Sequence, residues 1–183
     1  MKVIGIDPGS KCCGYGVLEV RGGDIKHLAS GSIAPGANFP FYQRLKAIYD
    51  SLLIVIGEHS PDVMSVEDIF FAKNAKSAIK LGEARGVALL AASNSGIPVC
   101  EYAPTKVKLA LTGRGRANKS EVQKMLSMIL GISDFETEDA SDALAIALCH
   151  INISRIEIRL GKEFIQPRKK RRRFTLNDLP VKR

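Results

Sequence analysis

The sequence predicts an α/β fold, a five-stranded mixed sheet flanked by helices, and three observations carry that reading. Two β-rich segments near the start, "KVIGID" and "GYGVLEV", are separated by a Gly/Pro/Ser turn, as in a hairpin. From Phe41 onward, apolar residues recur at helical spacing in several long stretches. Between those stretches lie two short apolar runs, "DVMSVED" and "IPVCEYA". A strand reached through a helical crossover runs parallel to its neighbour, so the sheet is mixed.

Each element follows in order. "DIKHLASGSIA" supplies a third strand before the loop "PGANFP". Leu45, Ile48, Leu52, Val55 and Ile56 mark a first helix ending near Gly57, and "DVMSVED" after Pro61 is the fourth strand. "NAKSAIKLGEARGVALLAAS" reads as a long helix from about Asn74, with Gly96 as its stop. "IPVCEYA" is the fifth strand. Helical segments around "PTKVKLALT" and "NKSEVQKMLSMIL" flank the loop "GRGRAN". A last helix starts near Asp139 and runs through "ASDALAIALCHINISRIEI". Residues 1–158 form one domain in this reading, and residues 159–183 a basic, disordered tail with six consecutive cations, Arg168–Arg173.

Composition narrows the function classes. At 183 residues, 45% apolar and 25% charged, the chain resembles an ordinary globular protein. It has neither an apolar run long enough for a membrane span nor a signal-peptide pattern in "MKVIGID", so a cytoplasmic location without membrane association is expected. Cys12, Cys13, Cys100 and Cys149 lack metal or redox spacing, and the three histidines are scattered, which argues against zinc. Charge is unevenly placed. Residues 1–154 sum to zero, while residues 155–183 carry the whole +8. Within the first part, residues 73–124 hold 10 basic and 3 acidic residues, and residues 125–154 hold 5 acidic and none basic. A basic middle beside an acidic end suits a protein that attracts a polyanion and sets carboxylates against it. Two solvated faces of opposite sign would give the same count.

The carboxylates sit at element ends. Asp7 closes the first strand, Glu67 and Asp68 the fourth, and Glu138, Asp139 and Asp142 open the last helix. Asp139 and Asp142 are three apart and share a helix face. A lone D-x-x-D reads more simply as helix capping. Three clusters from distant parts of one small domain ask for more. Strands one and four can be neighbours, which would put Asp7 and Glu67 at one end of the sheet. Convergent carboxylates repel unless cations neutralise them, and magnesium takes such oxygen ligands. Two ions about 3.5–4 Å apart can activate water against a phosphodiester. Gly9 and Gly14 would permit close backbone packing beside Asp7.

"GIDPGSKCCGYGV", "VEDIFFAKN", "KLGEARGVALLAAS", "EYAPTKVKLALTGRGRANKSEV" and "DASDALAIALCH" together closely resemble the RuvC family of Holliday-junction resolvases. The resemblance runs from Met1 to about Ile158. It implies a ribonuclease H-like fold, a homodimer, and magnesium-dependent nicking of two opposed strands of a four-way DNA junction in recombination and repair. It further implies cooperation with the RuvA–RuvB branch-migration complex. Matched residue by residue, the family's catalytic, metal-binding carboxylates fall on Asp7, Glu67, Asp139 and Asp142, and basic positions near its active site on Lys108 and Lys119. Phe70 matches the residue that wedges the junction.

The remaining candidates are weighed against plainer roles. Of the consecutive Phe70 and Phe71, only one can face inward on an extended segment, and core packing is favoured for Phe71. Lys106, Arg114 and Arg116 are expected to track the DNA backbone, and Lys73, Lys76 and Lys80 at the start of the long helix to meet phosphate. Each alone could be a solvated surface charge. Gly82 and Gly86 leave room for a close helix contact; intramolecular packing is the ordinary explanation, and the resemblance favours a two-fold one. Three other classes compete. "VIGIDPGS" and "GYG" also suit the first phosphate loop of actin-like kinases and ATPases, but no second such loop follows. A ribonuclease acting on RNA–DNA hybrids would use the same carboxylates, and a non-catalytic DNA-binding module would not need them.

Overall fold

The computed structural model describes residues 1–68, 75–132 and 134–161. Phe70, Phe71, Lys73 and the basic run Arg168–Arg173 lie outside them. The order of elements is β1 (Lys2–Asp7), β2 (Cys13–Arg21), β3 (Asp24–Ile33), α1 (Phe41–His59), β4 (Val63–Glu67), α2 (Ala75–Asn94), β5 (Val99–Tyr102), α3 (Pro104–Thr112), α4 (Lys119–Leu130) and α5 (Glu138–Arg159). The strands form one sheet in the order β3-β2-β1-β4-β5. β1 is antiparallel to β2 and parallel to β4, so the expected mixed sheet is found.

Alternation along the strands divides the core between the two faces of the sheet. Val3, Leu18 and Val63 pack with α3, α4 and α5 on one face. Ile4, Ile6, Val17, Met64 and Val66 pack with α1 and α2 on the other. α5 is the most enclosed helix: Ala140, Ala143, Leu144, Ala147, Leu148 and Ile151 are all fully buried. Burying its larger side chains contributes about 1.5–3 kcal/mol each. Its small ones let the helix backbone come down onto the sheet.

Glycine makes that approach possible. Gly5 and Gly16 are cross-strand partners on β1 and β2, and Gly14 stands opposite Asp7. A Cβ on Gly5 would collide with the Ala143 carbonyl, one on Gly14 with the Asp139 carbonyl, and one on Gly16 with Leu144. These three positions seat the first half of α5. Gly9 is tight for a different reason, since its Cβ would strike the Cys12 carbonyl across the turn.

Two boundaries differ from expectation. α1 continues past Gly57 and stops at Ser60, which adopts a left-handed φ of 48° just before Pro61. Ile56, buried on the core side, still accepts the cap hydrogen bond there. At α5 the N-cap is Thr137, whose Oγ1 accepts from the Ala140 amide at 3.1 Å; Glu138 and Asp139 lie in the first turn instead. Gly82 and Gly86 are exposed, and a Cβ at either would meet nothing within 4 Å, so among the described residues no intramolecular packing explains them.

Candidate active site

The acidic residues come together at the carboxyl ends of β1 and β4. The parallel register pairs Ile6 with Val66, and Asp7 and Glu67 are the next residue on each strand. The N-terminus of α5 reaches the same place because Gly14, opposite Asp7, lies against the Asp139 backbone. Asp139 is in the first turn of α5, where the helix dipole favours negative charge, and Asp142 follows one turn on.

The electrostatics follow from that proximity. Asp7 is pushed up to about 7, first by burial and then by the carboxylates of Asp142, Glu67 and Asp139, against a lowering by Lys119. Burial and then Asp142 also raise Glu67, while Lys108 lowers it. Residues from β1, β4, α3, α4 and α5 therefore act on one another, as separate clusters would not. Among the described residues, no three His, Cys, Asp or Glu side chains are arranged as they stand to hold a metal ion.

Lys119 stands between two of the acids. Its Nζ donates to Asp142 Oδ2 and to Glu138 Oε2, both at 2.9 Å. Partial burial opposes its charge, but those two hydrogen bonds outweigh the cost and raise its pKa. A protonated amine thus stands where a cation is called for. The donor set suits a hard divalent ion: carboxylate oxygens only, and a half-buried Asp7 whose charge is suppressed first by desolvation and then by its acidic neighbours.

Lys119 is held there by the start of α4. Asn118 and Glu121 form a reciprocal capping box, each side chain accepting from the other's backbone amide at 2.9 Å. Arg114 donates to Glu121 Oε1 at 2.6 Å, so it braces the cap from which Lys119 projects. Arg116 is exposed in the same loop. Lys108 is half-buried and faces Glu67. Lys106 is turned to the Tyr102 ring, 5.3 Å from its centre. Lys76 is exposed at the start of α2, and Lys80 lies over the Phe41 ring.

Some of the site has no linear signal. Ser32 Oγ on β3 meets Thr137 Oγ1 at 2.7 Å, tying the α5 cap to the sheet across 105 positions of sequence. Cys12 joins them: burial, then its hydrogen bond to Asp139, lifts its thiol to about 11, and Ser32 also bonds to it. At that value the thiol stays protonated and can donate to the carboxylate. The only hint in the sequence was the turn "PGSKCC" itself.

A half-buried carboxylate cluster with flanking lysines, at the ends of parallel strands in such a sheet, defines a ribonuclease H-like nuclease. The sequence profile described as crossover junction endodeoxyribonuclease RuvC matches residues 3–150. The crossover junction endodeoxyribonuclease RuvC of Pelobacter propionicus is 48% identical over 152 residues, covering 83% of this chain and 86% of that protein. The protein of the same name from Trichlorobacter lovleyi is 44% identical over 161 residues, covering 88% and 90%. Among solved structures, T. thermophilus RuvC in complex with Holliday junction substrate superposes with a TM-score of 0.81 at 37% identity, covering 85% of this chain and 96% of that one. The chain belongs to the RuvC family.

Proposed function

We propose that this protein resolves four-way DNA junctions, nicking two opposed strands symmetrically in homologous recombination and repair. Nuclease activity on crossover junctions follows from family membership over most of the chain. The observation that carries the residue assignment is the coupling of Asp7, Glu67, Asp139 and Asp142 at one end of the sheet.

Those four carboxylates would hold Mg²⁺. Four are more than one such ion requires while it retains waters, which supports two ions per site. A divalent metal, when bound, supplies Lewis-acid stabilisation of phosphate oxygens and a nucleophile at neutral pH. The chain's own residues do the rest. Ser32, Thr137 and Cys12 fix the first turn of α5 and the orientation of Asp139. Lys119 relinquishes Asp142 yet is retained by Glu138, leaving its ammonium beside the scissile phosphate. Lys108, beside Glu67, adds positive charge where the phosphate gains negative charge in the transition state. Attack in line at phosphorus leaves a 5′-phosphate and a 3′-hydroxyl, ends that a ligase seals.

Two opposed nicks call for two sites, hence a homodimer. Ile79 and Leu90, 63% and 52% exposed, flank the open Gly82 and Gly86 along α2, a stripe suited to a second copy. Phe70 and Lys73 are proposed as DNA contacts on sequence grounds, Arg116 and Lys76 on exposure as well. Cooperation with RuvA–RuvB, and a cytoplasmic location, rest on the family. No helix among the described residues is long and apolar enough to cross a membrane. Residues 159–183 are proposed as a basic extension of the nuclease domain.

The test is substrate choice. Wild-type protein with Mg²⁺ is given end-labelled four-way junction, linear duplex of the same sequence and RNA–DNA hybrid. Paired nicks in the junction alone are expected. Preferential cutting of the hybrid would make the protein a ribonuclease instead.

A further inference from the structure

Among the described residues, Arg44 is a cation without an anion. From the first turns of α1 it donates through Nη2 to the carbonyl oxygen of Ser10, in the turn that follows Asp7. Its Nε is buried and has no hydrogen-bond partner, and it makes no ion pair among the described residues. Its guanidinium lies 5.9 Å from the centre of the Phe41 ring. Lys80, arriving from α2, places its Nζ 5.4 Å from the same ring and is likewise outside every ion pair among those residues. Beside Ser10, Lys11 is exposed, and Tyr42 is 69% exposed next to Phe41.

Two like charges brought to one aromatic ring repel each other, and a cation–π contact at an exposed site offsets little of that. A partly buried guanidinium normally has a carboxylate beside it, because desolvating an unpaired charge is costly. Here the nearest acid on α1, Asp50, is taken by Lys46. The ring and the Ser10 carbonyl orient the guanidinium but supply no negative charge. A phosphodiester would supply it, and Arg is the side chain whose fork of donors fits phosphate oxygens.

We propose that Arg44 and Lys80, ordered on the Phe41 ring, form a phosphate-binding station that grips the DNA strand beside the cleavage position, with Lys11 and the Tyr42 face at its rim. The Ser10 carbonyl couples this station to the turn carrying Asp7, so a strand held here is registered against the carboxylates. The proposal rests on DNA being the substrate, as set out above, and adds a contact surface on α1.

The experiment measures binding of a fluorescent four-way junction to the full chain in EDTA across a series of salt concentrations, with cleavage in Mg²⁺ run in parallel. Arg44→Gln and Lys80→Gln should each weaken binding about 10-fold at 0.15 M salt and make the salt dependence shallower by about one charge. Arg44→Lys should restore the slope. Phe41→Leu, which keeps both charges but loosens them, should weaken binding with the slope unchanged. If Arg44→Gln fails to fold, the surface variant Lys80→Gln and Phe41→Leu still decide. Wild-type affinity and slope in Lys80→Gln and Arg44→Lys, with only a lower melting temperature for Arg44→Gln, would make Arg44 a structural residue and overturn the proposal. So would loss of dimerisation in these variants with no change in affinity per protomer. Failure of the wild type itself to bind or cut the junction would overturn the function, a distinct outcome.

Discussion

Asp7 and Asp139 meet across a residue that has no side chain. Gly14 is the β2 partner of Asp7, and the space its Cβ would fill is taken by the Asp139 carbonyl. The distance between β2 and the start of α5, and with it how near Asp139 comes to Asp7 on the adjacent strand, is therefore set at Gly14.

Gly14→Ala should expose that dependence. The added methyl displaces the first turn of α5, an overpacking cost of about 1–3 kcal/mol in stability. Cleavage should fall about 100-fold, since misplacement on the ångström scale is enough for that. Junction binding without metal should change by less than about three-fold, within an uncertainty of ~0.6 kcal/mol. Denaturant melts, binding and cleavage on one preparation separate the three effects.

Asp7 also predicts a dependence of metal-free stability on pH. Its folded-state pKa, about 7, lies above the ordinary 3.8, so the folded state holds the proton more tightly between those values. Stability from this group is thus greatest at low pH and is lost as pH rises towards 7. Asp7→Asn, uncharged throughout, should melt several degrees higher than wild type at pH 8 in EDTA and equally at pH 4. Mg²⁺ should raise the melting point of the wild type more than that of the variant.

His150 acts in the opposite direction. It is 1% exposed in the α3–α5 core, with Nδ1 2.7 Å from the Tyr102 hydroxyl, and burial lowers its pKa to about 4. The unfolded chain takes up a proton near pH 6.5 that the folded state refuses until about pH 4. Its contribution is therefore present above pH 6.5 and is lost as pH falls, on the order of 2 kcal/mol by pH 4.5. His150→Gln should flatten that part of the stability profile; an unchanged profile would remove His150 as its source.

Thr137 and Ser32 give a smaller test. Thr137→Ala removes the α5 cap and should cost about 1 kcal/mol. Ser32→Ala should cost less in stability but raise the Mg²⁺ concentration for half-maximal cleavage, because it frees both Thr137 and Cys12 beside Asp139. Equal Mg²⁺ requirements in wild type and Ser32→Ala would confine Ser32 to a structural part.

Much of this was legible in the sequence, and for identifiable reasons. Strand alternation and helical spacing are local, so the element order could be read directly. Asp7 and Glu67 at the ends of neighbouring strands, and Asp139 with Asp142 on one helix face, needed only topology and helix period. Other features needed the packed chain. Thr137 as the α5 cap was hidden behind Glu138 and Asp139, which also suit a helix start. The Ser32–Thr137 bond joins a strand to a helix across most of the domain. The Arg114–Glu121 ion pair joins a loop to the α4 cap, which no local pattern signals. Lys119 between Glu138 and Asp142, and Arg44 with Lys80 on Phe41, depend on how α4 docks on α5 and α2 on α1. No periodicity encodes those distances.

The most direct test of the carboxylate site compares wild type with Glu67→Gln on one labelled four-way junction, with and without Mg²⁺, following binding and nicking together. Glu67→Gln keeps the size of the side chain and removes its charge. Glu67→Gln should bind as the wild type does, with nicking reduced at least 10³-fold, an effect of about 4 kcal/mol on the barrier, and neither protein should nick without metal. Paired nicks from Glu67→Gln at the wild-type rate, or from wild type in EDTA, would contradict that site assignment.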